Sequence, residues 1–338
     1  MYAILLGALA SLPFAYAANK DAPLLPKEIT NASNQFITVN VENDLFGNGT
    51  DQNYTSGVSL TYFDMGLEPN PLTRWLDRVI PTMSINPTTS VYYSIGQNLY
   101  TPDDIRIATP VPSQRPWAAF LYGSAGLVTG TKDHIDEMEV TLGVVGPLAL
   151  GEDIQRFIHA NVGSPDPKGW DNQLKNEPGL ILSWQRRWPE RMSKDFGHLD
   201  LTLMPHAGVT AGNIYTYGNI GATLRLAPKS ARFQDTPIRV RPAMPGTGFF
   251  HLKEGRFGWY AFAGLDQRLM VRNIFLDGNT FRDGPSVDKK HLVTDLNTGV
   301  ALTYGKTRMT YTLNWRSKEY DGQRNPSVFG AVGLGYRF

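Results

Sequence analysis

Residues 331 to 338 read Ala-Val-Gly-Leu-Gly-Tyr-Arg-Phe, so that Val332, Leu334, Tyr336 and Phe338 alternate with Ala331, Gly333, Gly335 and Arg337. Successive side chains of a strand point to opposite faces, so this segment has one apolar face ending in an aromatic. That is the pattern of the closing strand of an outer-membrane β-barrel, where one face meets lipid and the other the lumen. The same alternation appears in Met309, Tyr311, Leu313 and Trp315 against Thr310, Thr312, Asn314 and Arg316. It recurs in Ile37, Val39 and Val41 against Thr38, Asn40 and Glu42, and in Leu199, Leu201 and Leu203 against Asp200 and Thr202.

Read this way, the chain predicts strands over 35–44, 54–63, 89–99, 116–128, 136–146, 178–188, 197–210, 218–227, 257–274, 291–304, 306–316 and 326–338. Twelve is an even number, as a closed antiparallel bacterial barrel needs. The expected fold class is therefore all-β, a transmembrane antiparallel barrel. Residues 18–338 form one domain, because dividing a barrel would expose unpaired edges. A soluble β-sandwich is the competing fold, and 41% hydrophobic residues alone would suit it. Hydropathy misjudges barrels, however, since only every second residue of each strand faces lipid.

The N-terminus agrees with export. Residues Ile4 to Phe14 form an apolar run followed by Ala15-Tyr16-Ala17, a small-x-small cleavage site, so 1–17 reads as a signal peptide. The run is too short to cross a bilayer, which takes about 20 apolar residues. The chain has no cysteine, which excludes a disulfide framework and thiol chemistry. A formal net charge of +1 argues against nucleic acid as a partner. The expected location is the bacterial outer membrane.

With both termini on the periplasmic side, the connections 45–53, 100–115, 147–177, 211–217, 275–290 and 317–325 face outward. Two inner connections are long. The first, 64–88, carries Leu72, Trp75, Leu76, Val79 and Ile80 at helical spacing, which suggests a short interfacial helix. The second, 228–256, is rich in proline and basic residues and has room for a further strand pair.

Polar residues collect at one outer rim. Glu42-Asn43-Asp44 ends the first strand, and Thr50-Asp51 and Asn53-Tyr54-Thr55-Ser56-Gly57 open the second. Turn chemistry uses these same residue types. The outer connection 147–177 tips the balance toward a site. After Gly146-Pro147, residues Leu148 to Val162 read as a helix with Ile154, Phe157 and Ile158 on an apolar side and Gln155 and His159 one turn apart on another. Strand parity sends His159 to the same end of the barrel as Asn43, Asp44 and Ser56. The other histidines, His134, His198, His206, His251 and His291, fall in turns or strands without comparable polar neighbours. Trp170 reads as an interfacial anchor. Arg106, Lys168, Lys175 and Arg187 read as cations on the outer loops or rim.

Asn43-Asp44, Tyr54-Thr55-Ser56-Gly57, Gly96-Gln97, Tyr100-Thr101-Pro102-Asp103-Asp104, Gly143 to Pro147, Gln155 to His159, and Gly169-Trp170-Asp171-Asn172-Gln173 occur in that order. As a set they resemble the outer-membrane lipid A deacylases of the LpxR family, from about residue 35 to the C-terminus. The resemblance implies a twelve-stranded barrel that hydrolyses the 3′-O-linked acyloxyacyl group of lipid A in lipopolysaccharide, dependent on Ca2+. It implies His159 as general base and Asn43 and Asp44 as an essential polar pair. The essential hydroxyl falls on Ser56, with Thr55 and Ser59 competing. Asp44 leads the calcium ligands the resemblance implies, followed by Gln155, Asp166 and Glu177.

Each role has a physical basis. Histidine, with an ordinary pKa of about 6.5, is a competent base at neutral pH. Calcium takes six to eight oxygens and stabilises an oxyanion. Two alternatives remain: a serine-type outer-membrane phospholipase with Ser56 as covalent nucleophile, and a passive porin-like barrel whose motifs only shape loops.

Overall fold

In the computed structural model, residues 35–47, 53–64, 86, 88–131, 133–189, 191–229, 235–237, 246–250 and 255–338 are described. The signal peptide, the helix expected around residues 72–80, Thr50, Asp51 and His251 lie outside them. No described helix is long and apolar enough to cross a membrane.

Among the described residues, thirteen strands form one antiparallel sheet. They are β1 (Gln35–Asn43), β2 (Asn53–Asp64), β3 (Ser90–Thr101), β4 (Ala118–Gly130), β5 (Ile135–Val145), β6 (Glu177–Arg187), β7 (Met192–Phe196), β8 (Leu199–Gly212), β9 (Tyr215–Pro228), β10 (Phe257–Asn273), β11 (Leu292–Tyr304), β12 (Thr307–Arg316) and β13 (Ser327–Arg337). Pairing of β1 with β13 and of β6 with β8 closes a twelve-stranded barrel. All twelve expected strands are present, with ends shifted by at most three residues. Phe338 N donates to Gln35 O at 3.2 Å and locks the seam between first and last strands.

The thirteenth strand, β7, is an addition to the expected set. Arg187 of β6 faces His206, and Met192 of β7 faces Leu203, so β7 continues the row of β6 after a break containing Pro189. Proline supplies no ladder donor, which is why the row is interrupted there. Every β7 residue is exposed, so this hairpin overhangs the inner mouth.

Alternation decides what each face touches. Ile37, Val39, Val58, Leu60, Val140, Leu142, Leu182, Leu296, Met309 and Leu334 project from the wall as an apolar belt. The inward residues fill the lumen. Arg316 forks onto Asp295 through two bonds of 2.9 Å, and Arg268 contacts the same carboxylate. His206 Nε2 lies 2.9 Å from Asp266 Oδ1, and Asn219 also donates to Asp266. Buried charges survive only when paired, and here they are paired with one another. His206 is therefore a lumenal core residue with polar neighbours, which corrects its reading as isolated. His134 likewise sits 3.3 Å from Asp136.

Both mouths are plugged. At the outer mouth the short helix α2 (Ile274–Asp277) inserts Phe275, stacked 4.1 Å from the Tyr100 ring and 5.5 Å from that of Tyr215. Tyr100 and Tyr215 share a 2.6 Å hydrogen bond. At the inner mouth the described part of the second long connection adds no strand to the barrel wall. It places Phe249 and Phe250 against Phe36, while Asp235 accepts from Arg187 at 2.6 Å. Arg187 is thus a buried lumenal residue at the inner mouth rather than an outer cation, because β6 runs inward and Arg187 ends it.

Candidate active site

One row of directly paired residues runs across the outer rim: Ala119 of β4, Leu99 of β3, Ser56 of β2, Asn43 of β1 and Gly330 of β13. Paired residues share a face, and Leu99 and Ala119 pack with Trp117 and Trp170 of the loops, which fixes the row to the outer face. Asn43 and Ser56 are therefore neighbours on the lipid side of the wall. Two further polar residues reinforce the patch. Gln97 shares the face of Leu99, and a bulge between Tyr54 and Ser56 inserts Thr55, whose hydroxyl is 2.6 Å from that of Thr101. Bulges commonly re-aim a side chain beside a functional site. Ser59 alternates to the buried, lumenal face with Thr61 and Phe63, so it is separated from the others.

Asp44 follows Asn43 in a single 3₁₀ turn, Asp44–Phe46, and is buried. The turn is capped by Asn43, whose Oδ1 accepts from Leu45 N at 2.7 Å. It folds over the outer face of β13, where Gly330 makes room. A Cβ there would lie 2.6 Å from that of Phe46. Tyr311 OH holds the turn by donating to Phe46 O.

The loop between β5 and β6 lays helix α1 (Gly151–Val162) on the outer face of β4, and Gly151, Gln155 and His159 are its buried residues. Close contact requires the glycine, since a Cβ on Gly151 would lie 2.4 Å from that of Ala119. Leu150 enters the helix at φ 57, a costly conformation for a branched side chain, and is held there by neighbouring contacts. One of them comes from the wall: Gln97 Nε2 donates to Ala149 O at 2.6 Å. The helix ends at Gly163, φ 73, whose N–H returns to His159 O.

Two contacts orient the wall-facing side chains of α1. His159 Nδ1 lies 2.6 Å from Pro165 O. A carbonyl only accepts, so Nδ1 carries the proton and Nε2 is the basic nitrogen of the neutral ring. Trp170 Nε1 donates to Gln155 Oε1 at 2.8 Å. Trp170 is 1% exposed, which corrects its reading as an interfacial anchor: it is the floor under the helix.

The expected calcium ligands do not gather into one shell. Glu177 accepts from Asn213, Asn279 and Thr280 N at 2.8–3.1 Å, on the lumenal side of the rim. Asp166 is 58% exposed and lies 3.5 Å from Arg156. The Gln155 carbonyl is engaged by Trp170. Among the described residues no three His, Asp or Glu side chains form a metal cluster. The outer cation Arg106 clamps Asp104 through bonds of 2.9 and 2.8 Å, and these hold that carboxyl at about 2.

Sequence reasoning quoted Gln97 and Thr101 among the motifs but gave neither a role at the site. Gln97 was detectable, as a lone amide on the outward parity of β3 among Tyr93, Ile95 and Leu99.

The sequence profile of a family described as "Outer membrane protein LpxR" matches residues 3–338. Among curated protein sequences nothing matches. Among solved structures, LpxR from Salmonella typhimurium aligns with a TM-score of 0.73 and 20% identity, covering 90% of this chain and all of that one. The β-domain of the Bordetella autotransporter BrkA aligns with a TM-score of 0.44 and 9% identity, covering 90% and 99%. The COG4313 outer membrane channel from Pseudomonas putida F1 gives 0.39 and 10%, covering 96% and 100%.

Proposed function

This chain belongs to the LpxR family of outer membrane proteins, and on that premise we propose that it is a lipid A 3′-O-deacylase, hydrolysing an ester at the patch between α1 and the outer wall. The observation that carries the reading is polarity in the wrong place for a structural barrel. Outward positions at a lipid belt are apolar. Here Asn43, Thr55, Ser56, Gln97 and Thr101 interrupt the belt at one rim, and a loop helix turns its own polar residues onto the wall. Ester chemistry at this spot reaches a lipid without lifting it into water.

The helix has the reach for the proposed geometry. Eight residues from Gly151 to His159 span about 12 Å, and two strand spacings from β4 to β2 about 10 Å. In the proposed mechanism His159 Nε2 takes a proton from water while Nδ1–H stays on Pro165 O. The hydroxide attacks the ester carbonyl, and the Thr55 hydroxyl, preset by Thr101, donates to the developing oxyanion. Collapse expels the sugar oxygen, which takes the proton back from His159, leaving a carboxylic acid and a free hydroxyl. Ser56 and the donor end of the Asn43 amide lie beside this position and orient the substrate. Lys168 and Lys175, both exposed, are available to lipid A phosphates.

The quartet Asp44, Gln155, Asp166 and Glu177 does not fit a single calcium shell, since Glu177 is on the lumenal face and Asp166 is exposed beside Arg156. Asp44, buried in the turn after β1, would be the residue to hold a calcium ion, which would supply further stabilisation of the oxyanion.

The test is incubation of the purified chain with lipid A, with calcium or with chelator, and mass spectrometry of the lipid. Loss of one acyloxyacyl group only with calcium supports the reading, and unchanged lipid A with calcium overturns it. An acyl group trapped on Ser56 would instead favour the serine nucleophile. The packed lumen gives no support to a passive pore.

A further inference from the structure

Helix α1 is amphipathic in an unusual sense, with three faces rather than two. Its buried face, Gly151, Gln155 and His159, lies on the wall. A second flank carries Glu152 and Arg156, joined at 3.0 Å, with Asp166 completing an exposed ionic chain. The third carries Ile154, Phe157 and Ile158, with Leu150 preceding them, and all four are exposed; Phe157 is 69% exposed. At about 100° per residue the ionic and apolar flanks lie on opposite sides of the buried face. A helix bathed in water on both flanks would have no reason to separate them so.

The apolar flank does not stand alone. The strands that carry the loop present Leu142 and Val140 of β5 and Leu180 and Leu182 of β6 outward, all exposed. These belong to the lipid-facing belt of the barrel, so the helix continues an apolar surface that the outer leaflet already covers. We propose that α1 lies in the outer leaflet, with the Ile154–Phe157–Ile158 flank among acyl chains and the Glu152–Arg156 flank at the headgroups. Interfacial helices bury such a face by about 5–10 Å. Covering it with a second protein would leave the flank discontinuous with the belt beside it.

A consequence follows for the site, and it rests on the hydrolase reading. An acyl chain would then reach the buried face of α1 laterally from the hydrocarbon, while the sugar and phosphates stay beside the ionic flank.

The chain has no cysteine, so one introduced thiol marks one place. Ile154→Cys and Arg156→Cys, each labelled with an environment-sensitive fluorophore, are reconstituted as full-length protein in phosphatidylcholine vesicles containing brominated acyl chains. Ile158→Cys serves as a second apolar position in case Ile154→Cys folds poorly. At 154 or 158, bromine should quench at least threefold more than at 156, and aqueous iodide at least threefold less. Equal quenching at both flanks, by either agent, overturns the proposal. No catalysis enters this readout, so an inactive protein with an immersed helix would overturn the hydrolase reading alone.

Discussion

The lumen and the patch under α1 are both polar, yet they are held together differently. In the lumen arginines and a histidine meet carboxylates, as Arg316 does with Asp295 on the neighbouring strand and His206 with Asp266 two strands away. On the outer rim the polar residues of the proposed site are mostly uncharged hydroxyls and amides, and several are fixed by backbone groups, as Pro165 O fixes His159 and Leu45 N fixes Asn43. Lumenal polarity neutralises itself and stabilises the cylinder. Polarity on the lipid side lies where the proposed hydrolysis would act on a lipid.

Two histidines give the largest contrast. His159→Ala should reduce deacylation by about 10²–10⁴-fold, the usual worth of a general base, while leaving resistance to denaturant unchanged. His206→Ala should do the reverse: activity within twofold, and stability lower by about 1–3 kcal/mol for the buried hydrogen bond lost. Lipid A turnover and guanidinium unfolding in vesicles measure the pair. If His206→Ala were the inactive variant, the division between the two regions would be wrong.

Hydroxyls on the two faces of β2 sharpen the same contrast. Thr55→Val should cost about 10²-fold or more in kcat, as for other oxyanion donors, with KM little changed. Ser59→Ala, three positions past Ser56 and so on the lumenal face, should be silent. Smaller still is Gln97→Leu, which removes the wall contact to Ala149 O and keeps the shape. Its net stability effect is about 0.5–1.5 kcal/mol, and the loosened helix should lower kcat several-fold.

Much of this was legible in the alternation. The twelve barrel strands, the outward loop helix and the shared rim of Asn43, Asp44, Ser56 and His159 follow from period-two and helical spacing. β7 escaped because Pro189 breaks its row and all its residues are exposed. Glu177 was misjudged because its partners Asn213 and Asn279 lie 36 and 102 residues away, contacts that no local pattern encodes. The choice between Thr55 and Ser56 was open because a bulge shifts parity by one residue. Arg187 was readable after all, since the direction of β6 alone sends its last residue inward.

The inner plug yields the smallest expected effect on activity and the clearest pH dependence. Burial alone would raise the Asp235 carboxyl, but the Arg187 guanidinium and the bonds from Thr247 N and Oγ1 outweigh it, so the carboxyl sits below its ordinary range. A carboxylate depressed in the folded state contributes stability that is complete above its unfolded value, about 3.9. That contribution fades as pH falls through the lower folded value. Asp235→Asn strands Arg187 in the lumen, and breaking a buried pair costs about 3–5 kcal/mol. Unfolding in vesicles should therefore show a large gap between the two proteins at pH 7, narrowing as the buffer is taken below the ordinary carboxylate value. Deacylation at the opposite end of the barrel should stay within twofold of the parent at neutral pH. A loss of activity matching the loss of stability would mean that the plug and the outer patch are coupled through the wall, and the separation of structural from chemical polarity would fail at its remotest point.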